Sequence, residues 1–571
     1  MLSETALEIL KARYLRAGET PDEMFRRVAK AVSMGELLYH PPQFAEKWEE
    51  KFYTVMKNLE FLPNSPTLMN AGTELGQLAA CFVLPVEDSV EEIFNSVKLM
   101  AIIQKSGGGT GFSFSHLRPE GDIVKLTNGI ASGPVSFMRV FDCATDSIKQ
   151  GGKRRGANMG VLSIHHPDVK KFITCKRDKK SFQNFNISVA ATDEFFEKVK
   201  SNGEIELKNP RDGKVWKRVK AKDLFDLIAE SAWDSGDPGI LYIDEINRKN
   251  PTPDLGRIEA TNPCGEVPLL PYEECNLGSI NLAKVVKNGQ IDWKKLEELV
   301  EIGIRFLDNV IDVNRYPAKE IELMAKGNRK IGLGVMGFAE LLINMKIPYN
   351  SNEALELAEK LMSFINKKAF ETSVKLAEEK GSFPNIEKSI YKGKKVRNAT
   401  RTSIAPTGTI SMIAGTTPSI EPLFAIAYVK KILENRATVQ IDPFFLKYAG
   451  NTLSEEQLRE ILKTGSIQKI PGIPEDVKRI FITALDIPPE WHIKMQAAFQ
   501  KHTDNSVSKT VNLPYNVTVE DVKKVFWLGY QLKLKGITVF RYGSKEGVIE
   551  FGIENLEIEK LIKSKACSCQ L

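Results

Sequence analysis

Thr261-Asn262-Pro263-Cys264-Gly265-Glu266 sets an amide, a thiol and a carboxylate at alternate positions. Pro263 and Gly265 keep the segment out of a helix. In an extended segment, residues two apart share a face, so Asn262, Cys264 and Glu266 are expected to point the same way. That trio is a candidate for thiol chemistry. Cys275 follows eleven residues later, after a proline-containing stretch able to turn the chain back. The alternative is a buried structural thiol beside a loop carboxylate, the commoner case for any single cysteine. Cys81, in Leu78-Ala79-Ala80-Cys81-Phe82-Val83-Leu84, reads as a core cysteine of a buried strand. Cys143 and Cys175 carry no local motif and read as structural. No C-x2-C pair occurs and the six histidines show no ligand spacing with the cysteines, so no metal site is expected.

Glycine-rich stretches offer close backbone approach to a ligand. Gly332-Leu333-Gly334-Val335-Met336-Gly337 matches G-x-G-x-x-G. Gly327-Asn328-Arg329-Lys330 leaves only Ile331 as strand before the first glycine, and no acidic second strand follows, so the dinucleotide reading is rejected. Ser106-Gly107-Gly108-Gly109-Thr110-Gly111 lacks the Gly-Lys-Ser/Thr ending of a phosphate loop. Lys149-Gln150-Gly151-Gly152-Lys153-Arg154-Arg155-Gly156 is either a solvated charge run or a loop for a nucleotide phosphate and base. Ala405-Pro406-Thr407-Gly408-Thr409-Ile410-Ser411 offers hydroxyls and amides to an anion, above all if a helix starts there.

Positioning these groups falls to alternating strands and helices. Residues 1–60 read as helices, with a capping box at Thr20-Pro21-Asp22-Glu23 and an apolar face of Phe25, Val28, Ala29 and Val32. Short apolar runs then recur at 81–86, 111–115, 160–164, 186–191, 239–243, 276–282, 331–336, 402–405 and 536–540. Helical stretches lie at 89–104, 221–233, 294–312 and 353–379. Nine or ten strands alternating with helices argue for an α/β barrel or large sheet. The segment 553–571 is polar and reads as a mobile tail. Lys plus Arg (79) barely exceeds Asp plus Glu (73), which excludes a polybasic nucleic-acid coat. There is no signal-peptide pattern and no long apolar run, so a cytoplasmic protein without a membrane partner is expected.

The chain resembles the catalytic subunit of ribonucleotide reductase, most closely the adenosylcobalamin-dependent class, from about residue 20 to 548. The resemblance is carried by Asn64 to Asn70, Ala80 to Leu84, Ser106 to Gly111, Lys149 to Met159, Asn262 to Glu266 and Cys275 to Leu282. Pro406 to Ser411, Trp491 to Gln496, Ser508 to Asn512 and Gly536 to Arg541 extend it. It implies a ten-stranded α/β barrel at 61–552 with a central finger loop, preceded by the helical region 1–60 and followed by a redox tail at 553–571. Cys264 is then the transient thiyl that takes the 3′ hydrogen of a ribonucleotide, Glu266 the base for the 3′-hydroxyl, and Asn262 the anchor of the ribose hydroxyls. Cys81 and Cys275 are the reducing pair that closes a disulfide, which requires their Cα atoms within about 7 Å. Cys567 and Cys569 resemble the shuttle pair served by a thioredoxin-like reductant, with a tighter Cys-x-Cys spacing than usual.

Substrate contacts carry over to Ser65, Thr67, Ala80, Gly109, Pro406, Thr407, Gly408, Thr409 and Ile410. Effector contacts, for a deoxynucleotide or ATP, carry over to Asp88 and Arg118, with Lys149, Gln150 and Arg154 on the loop between effector and substrate. A homodimer is implied. The chain opens on the catalytic region, so overall control by dATP is not expected. The stretch Thr538 to Ser544 holds the single tyrosine Tyr542, where the class with a separate metal-containing radical subunit carries two adjacent tyrosines. That favours adenosylcobalamin; a separate radical-generating subunit is the alternative. Glu266 counts against the glycyl-radical class. A reading from another class is a nucleotide-binding regulatory protein that has lost the chemistry, against which all three central cysteines speak.

Overall fold

The computed structural model describes residues 2–550 apart from 125–128, 151–153, 434–435, 450–452 and 545–548. The tail cysteines Cys567 and Cys569 lie outside the described residues.

Helices α1 (Glu4–Arg13), α2 (Pro21–Ser33) and α3 (Pro42–Lys57) form the N-terminal region. The expected capping box is present: Thr20 accepts from the Glu23 amide while Glu23 accepts from the Thr20 amide. Phe25, Val28, Ala29 and Val32 are all buried, as their spacing requires.

Strand β1 (Phe61–Pro63) leads into the large sheet. Five parallel strands follow: β2 (Cys81–Leu84), β3 (Gly109–Ser113), β4 (Asn158–Ser163), β5 (Phe185–Ala191) and β6 (Gly239–Tyr242). A small hairpin, β7 (Ala260–Thr261) and β8 (Pro268–Leu269), comes next in the chain. Strands β9 (Glu274–Asn281), β10 (Ile331–Met336), β11 (Thr510–Leu513) and β12 (Gly536–Arg541) complete the set. Within this second group, β9 pairs parallel with β10, and β11 with β12. The two groups meet antiparallel twice, β6 against β12 and β9 against β2.

Single parallel bridges, Leu333 to Thr402 and Ile404 to Val507, carry residues 402–404 between β10 and the approach to β11 and close the ring. The ring thus has two parallel halves of five staves. The run 402–405, expected as a strand, supplies its stave through bridges alone. The close fit there explains Gly334: a Cβ would stand 2.2 Å from the Ser403 carbonyl oxygen. Gly332 and Gly334 therefore lie inside a buried six-residue strand rather than in a turn after a one-residue strand, and Gly337 alone, at φ +78°, makes the turn into the next helix. With its first two glycines held in the sheet, the dinucleotide motif stays rejected on that new ground.

Alternation along the strands sorts side chains by layer. Cys81, Val83, Met159, Val161, Leu241, Cys275 and Leu277 face the interior. Phe82, Leu84, Leu162, Val189 and Ile240 face an outer layer of helices. Two of those helices are α4 (Val90–Lys105) and α5 (Pro134–Ser147). On the other flank α6 (Trp293–Val313) and α7 (Asn352–Lys380) share a core with the N-terminal helices. The expected helical stretches 89–104, 294–312 and 353–379 thus form within a residue or two of their predicted ends.

Candidate active site

The β7–β8 hairpin holds a loop of six residues, 262–267, inside the ring. Strand β3 admits it by close approach: a Cβ at Gly111 would lie 1.7 Å from the Thr261 carbonyl oxygen. Asn186 on β5 donates to the Pro263 carbonyl at 2.8 Å. On the far side, the Ser506 amide and the Ser403 hydroxyl both donate to the Glu266 carbonyl, at 2.8 and 2.9 Å. The loop is thus held from both halves of the barrel.

The segment is not extended, contrary to expectation. Gly265 has φ +81°, and its amide donates to the Asn262 carbonyl at 3.1 Å, closing a turn. The turn sends the three side chains to different environments. Asn262 and Glu266 are buried, while Cys264 is exposed to a cavity of about 460 Å³ lined also by Ser188, Asn512, Thr538 and Phe540. Asn262 is fixed at both ends of its amide: Oδ1 accepts from the Val267 amide at 3.0 Å and Nδ2 lies 3.2 Å from the Cys81 sulfur. Burial pushes the Glu266 carboxyl up to about 7, against a lowering hydrogen bond with Asn262. Its Oε2 has no hydrogen-bond partner among the described residues.

Cys81 and Cys275 sit directly opposite each other in the antiparallel β2–β9 pair, both buried and both free thiols. Cross-strand partners have Cα atoms about 4.5–5.5 Å apart, inside the span a disulfide bridges. Burial raises both thiols well above the usual range, with Glu266 adding to the effect at Cys81 and Glu274 at Cys275. Both therefore stay protonated at neutral pH.

The expected substrate contacts come from four separate segments of the chain. Ser65 follows the helix cap Asn64 and meets the Tyr14 hydroxyl at 2.7 Å. Thr67 is buried, its hydroxyl donated to the Leu78 carbonyl at 2.9 Å. The Gly109 amide donates to the Ala80 carbonyl at 2.8 Å, and Gly109 is in register with Cys81. Pro406 lines the cavity beside Cys264. Thr407 takes a positive φ, 49°, and its hydroxyl accepts from the Ser419 amide at 2.7 Å. Gly408 and Thr409 then lead into a one-turn helix, Ile410–Ala414, that packs against α1 and β1.

Asp88 and Arg118 are brought together beyond the C-terminal ends of β2 and β3. Arg118 Nε donates to Asp88 at 2.8 and 3.1 Å, and the Arg118 amide donates at 3.2 Å. Lys149–Gln150 and Arg154–Arg155 form a two-rung hairpin between α5 and β4.

Several contributors escaped the sequence reading. Asn186 and Ser403 hold the loop from distant strands and carry no local signal. Lys509, next to the cavity, is buried with His492 Nδ1 at 3.2 Å and ion-paired to Glu421; both His492 and Lys509 lie in stretches that carried the resemblance, yet neither was singled out.

A ring of two opposed parallel halves, threaded by a thiol-bearing loop and walled by two facing thiols, defines a ten-staved α/β barrel with three cysteines gathered at its centre. Comparison with known proteins makes this specific. Residues 79–396 and 391–540 match the family profile "Ribonucleotide reductase, barrel domain", and residues 1–76 match "Ribonucleotide reductase, all-alpha domain". A vitamin B12-dependent ribonucleoside-diphosphate reductase of Mycobacterium tuberculosis is 50% identical, covering 96% of this chain and 80% of its own. One of Thermoplasma acidophilum is 48% identical, covering 95% and 79%. Among solved structures, the class Id ribonucleotide reductase alpha subunit of Actinobacillus ureae superposes with TM-score 0.79 at 25% identity, over 95% of this chain and 97% of that one. The chain belongs to the ribonucleotide reductase family.

Proposed function

We infer that the chain reduces ribonucleoside diphosphates to 2′-deoxyribonucleotides, with adenosylcobalamin as its radical source. The observation that carries this reading is Cys264 standing over its cavity with the Cys81–Cys275 pair in register behind it. Relatives near 50% identity bear the names of cobalamin-dependent diphosphate reductases.

In this reading Cys264 takes the 3′ hydrogen of the ribose and later returns it. Glu266 accepts the 3′-hydroxyl proton; a carboxyl at about 7 both takes and gives a proton near neutral pH. Asn262, held at both ends, orients the ribose hydroxyls. The neutral thiols Cys81 and Cys275 give up two protons and two electrons. One proton leaves with the 2′-hydroxyl as water, the other hydrogen ends on C2′ with the electron pair, and the sulfurs join as a disulfide. Ribonucleotide plus two thiols thus becomes deoxyribonucleotide, water and disulfide.

The diphosphate is received by Ser65, Thr67, Ala80, Gly109 and the stretch Pro406 to Ile410. The cavity above Cys264, lined by Asp237, Lys509, Asn512 and Thr538 as well as glycine and aliphatic residues, has room for a nucleoside-sized group such as the adenosyl end of the cofactor. When bound, adenosylcobalamin supplies the unpaired electron that activates Cys264.

Asp88 and Arg118 receive a deoxynucleotide or ATP effector, and the Lys149, Gln150 and Arg154 hairpin relays it towards the substrate. Helix α4 leaves Val90, Phe94 and Ile102 exposed, which supports a homodimer across that helix. Cys567 and Cys569 pass electrons from a thioredoxin-like reductant. The division into a helical region 1–60, a catalytic barrel 61–552 and a redox tail 553–571 follows the same reading, in a reducing, cytoplasmic setting. Among the described residues no helix is long and apolar enough to cross a membrane.

The test is turnover of CDP or ADP with adenosylcobalamin and a dithiol, under anaerobic conditions, with no second protein. Product formation supports the reading. No product until a metal-containing radical subunit is added would sink it.

A further inference from the structure

His116 follows β3 and bridges two carboxylates. Its Nδ1 lies 3.1 Å from both oxygens of Glu87, and its Nε2 lies 2.9 Å from Glu259 Oε2 and 3.1 Å from Oε1. Each carboxylate sits at a telling place. Glu87 is the residue before Asp88, whose partner Arg118 is two residues after His116, so the segments 87–88 and 116–118 are joined twice. Glu259 is the residue before β7, the stem of the loop that carries Cys264 five positions on.

The bridge is charged. Hydrogen bonding to Glu259, opposed by burial and helped by Glu87, pushes His116 up to about 9, so both ring nitrogens carry protons at neutral pH. Burial raises Glu259, but the bonds from His116 and Ser113 outweigh it and hold that carboxyl below its usual range. The other charge facing Glu259 is Arg257, itself paired with Asp244 at 2.7 Å. The mechanism proposed above leaves His116, Glu87 and Glu259 without a task.

We infer that His116 is a positioning residue: it pins the stem of the Cys264 loop to the Glu87–Asp88 segment, so that occupancy of the Asp88–Arg118 pair is felt at Cys264. The coupling half of this inference rests on Asp88 and Arg118 being effector contacts. The pinning half does not.

Thermodynamic coupling needs an element that both sites bias. Here that element is the β7 stem. It is held on one side by the Gly111 contact with Thr261 and at its base by His116. A nucleotide that engages Arg118 draws on the same short segment that His116 clasps.

The test uses the full-length protein as His116→Ala, His116→Lys and Asp88→Asn. The first readout needs no cofactor: the rate of iodoacetamide alkylation of Cys264 relative to exposed Cys143, by peptide mass spectrometry. His116→Ala is expected to shift that ratio at least about threefold and to lower kcat about tenfold at unchanged KM, because small misplacements of a reacting group are costly. Its response to dATP, dGTP and dTTP should vanish. His116→Lys, a cation with donors for both carboxylates, should restore ratio and kcat to within about twofold. A wild-type ratio in His116→Ala overturns the pinning, as does a His116→Lys variant no better than His116→Ala. A shifted ratio with intact nucleotide response overturns the coupling alone. Asp88→Asn that binds all three nucleotides like wild type removes the effector reading and leaves the pinning to stand on the alkylation ratio.

Discussion

Two buried polar regions of this molecule use charge in opposite ways. Between the N-terminal helices and α6–α7, the buried carboxylates Asp308 and Glu36 are each surrounded by several donors. Asp308 accepts from Arg329 at 2.9 Å, Asn398 at 2.9 Å and Arg397 at 3.2 Å. Glu36 accepts from Arg305, Asn309 and Lys380 at 2.9–3.2 Å. Burial alone would raise Asp308, yet Arg329, Arg397 and Lys380 hold it well below the usual carboxylate range. Inside the barrel the reverse holds. Glu266 Oε2 has no hydrogen-bond partner among the described residues, and burial lifts this acid to about 7. The first region spends charge on fixing helices to the barrel. The second keeps its paired thiols protonated and holds Glu266 near the neutral range, ready to exchange protons.

The most complete break of the comparison is Cys264→Ser. It leaves both regions' packing intact, since the side chain faces a cavity. Turnover is expected to fall below detection while the urea midpoint stays at the wild-type value. Serine fits, but its O–H bond is too strong to give up the hydrogen. Product above background would remove Cys264 from the reaction.

Asp308→Ala strikes the other region. It leaves Arg329 and Arg397 buried beside a missing carboxylate, at a cost of about 3–5 kcal/mol. Equilibrium urea unfolding is the measurement, and a shift under about 1 kcal/mol would show the network to be dispensable. Activity of the fraction still folded should be near normal, which separates this variant from Cys264→Ser.

The two regions also predict opposite pH slopes. Asp308 is depressed, so its stabilisation is present above the unfolded value of about 3.9 and is lost as pH falls through the folded value. Glu266 is raised to about 7, so the folded state binds the extra proton between the unfolded value and about 7. Stability therefore falls as pH rises across that window, by an amount on the order of 3 kcal/mol. Turnover should climb over the same window, because the base must be ionised. Glu266→Gln should flatten the stability slope and lower kcat about a hundredfold or more. A Gln variant with the wild-type slope would place the titration elsewhere.

How much of this was readable beforehand depends on how local each feature is. The capping box, the long helices and most barrel strands form where their periodicity predicts, because each signal lies within one element. The trio Asn262, Cys264 and Glu266 was visible as residue types, but its geometry was not. The period-two rule assumed an extended chain, whereas Gly265 at positive φ bends the segment into a turn. Residues 402–404 become a stave only through single bridges to Leu333 and Val507, pairings with no trace in local sequence. Asn186, Ser403 and His116 act across the barrel, far in sequence from the loop they hold. The Cys81–Cys275 pairing was implied only by family resemblance, and the register of β2 against β9 gives it a physical basis.

That register sharpens the comparison further. After one turnover without reductant, Cys81 and Cys275 should both be lost to alkylation and recovered as one linked peptide. Cys567→Ser with Cys569→Ser should leave this single-turnover yield unchanged yet stop repeated turnover with thioredoxin. A small dithiol should restore much of the rate. Full thioredoxin-driven activity in the double variant would make the tail cysteines bystanders.

The smallest effect expected lies at the edge of the paired region. Thr20 caps α2, which packs on α3 and α6. Its hydroxyl accepts from the Glu23 amide at 3.2 Å, and Glu23 returns the bond to the Thr20 amide at 2.8 Å. Thr20→Ala removes one half of that exchange and leaves an amide of the first turn to water, at a cost of about 1 kcal/mol. The cap is exposed, so no buried group is stranded, and the loss should stay well below that of Asp308→Ala. Thr20→Ser should recover most of it, since the same oxygen is restored. Turnover should not change in either variant, because α2 contributes no side chain to the Cys264 cavity. A loss as large as that of Asp308→Ala would mean that the helical region depends on its surface caps as much as on its buried charges, and the contrast between the two regions would need redrawing.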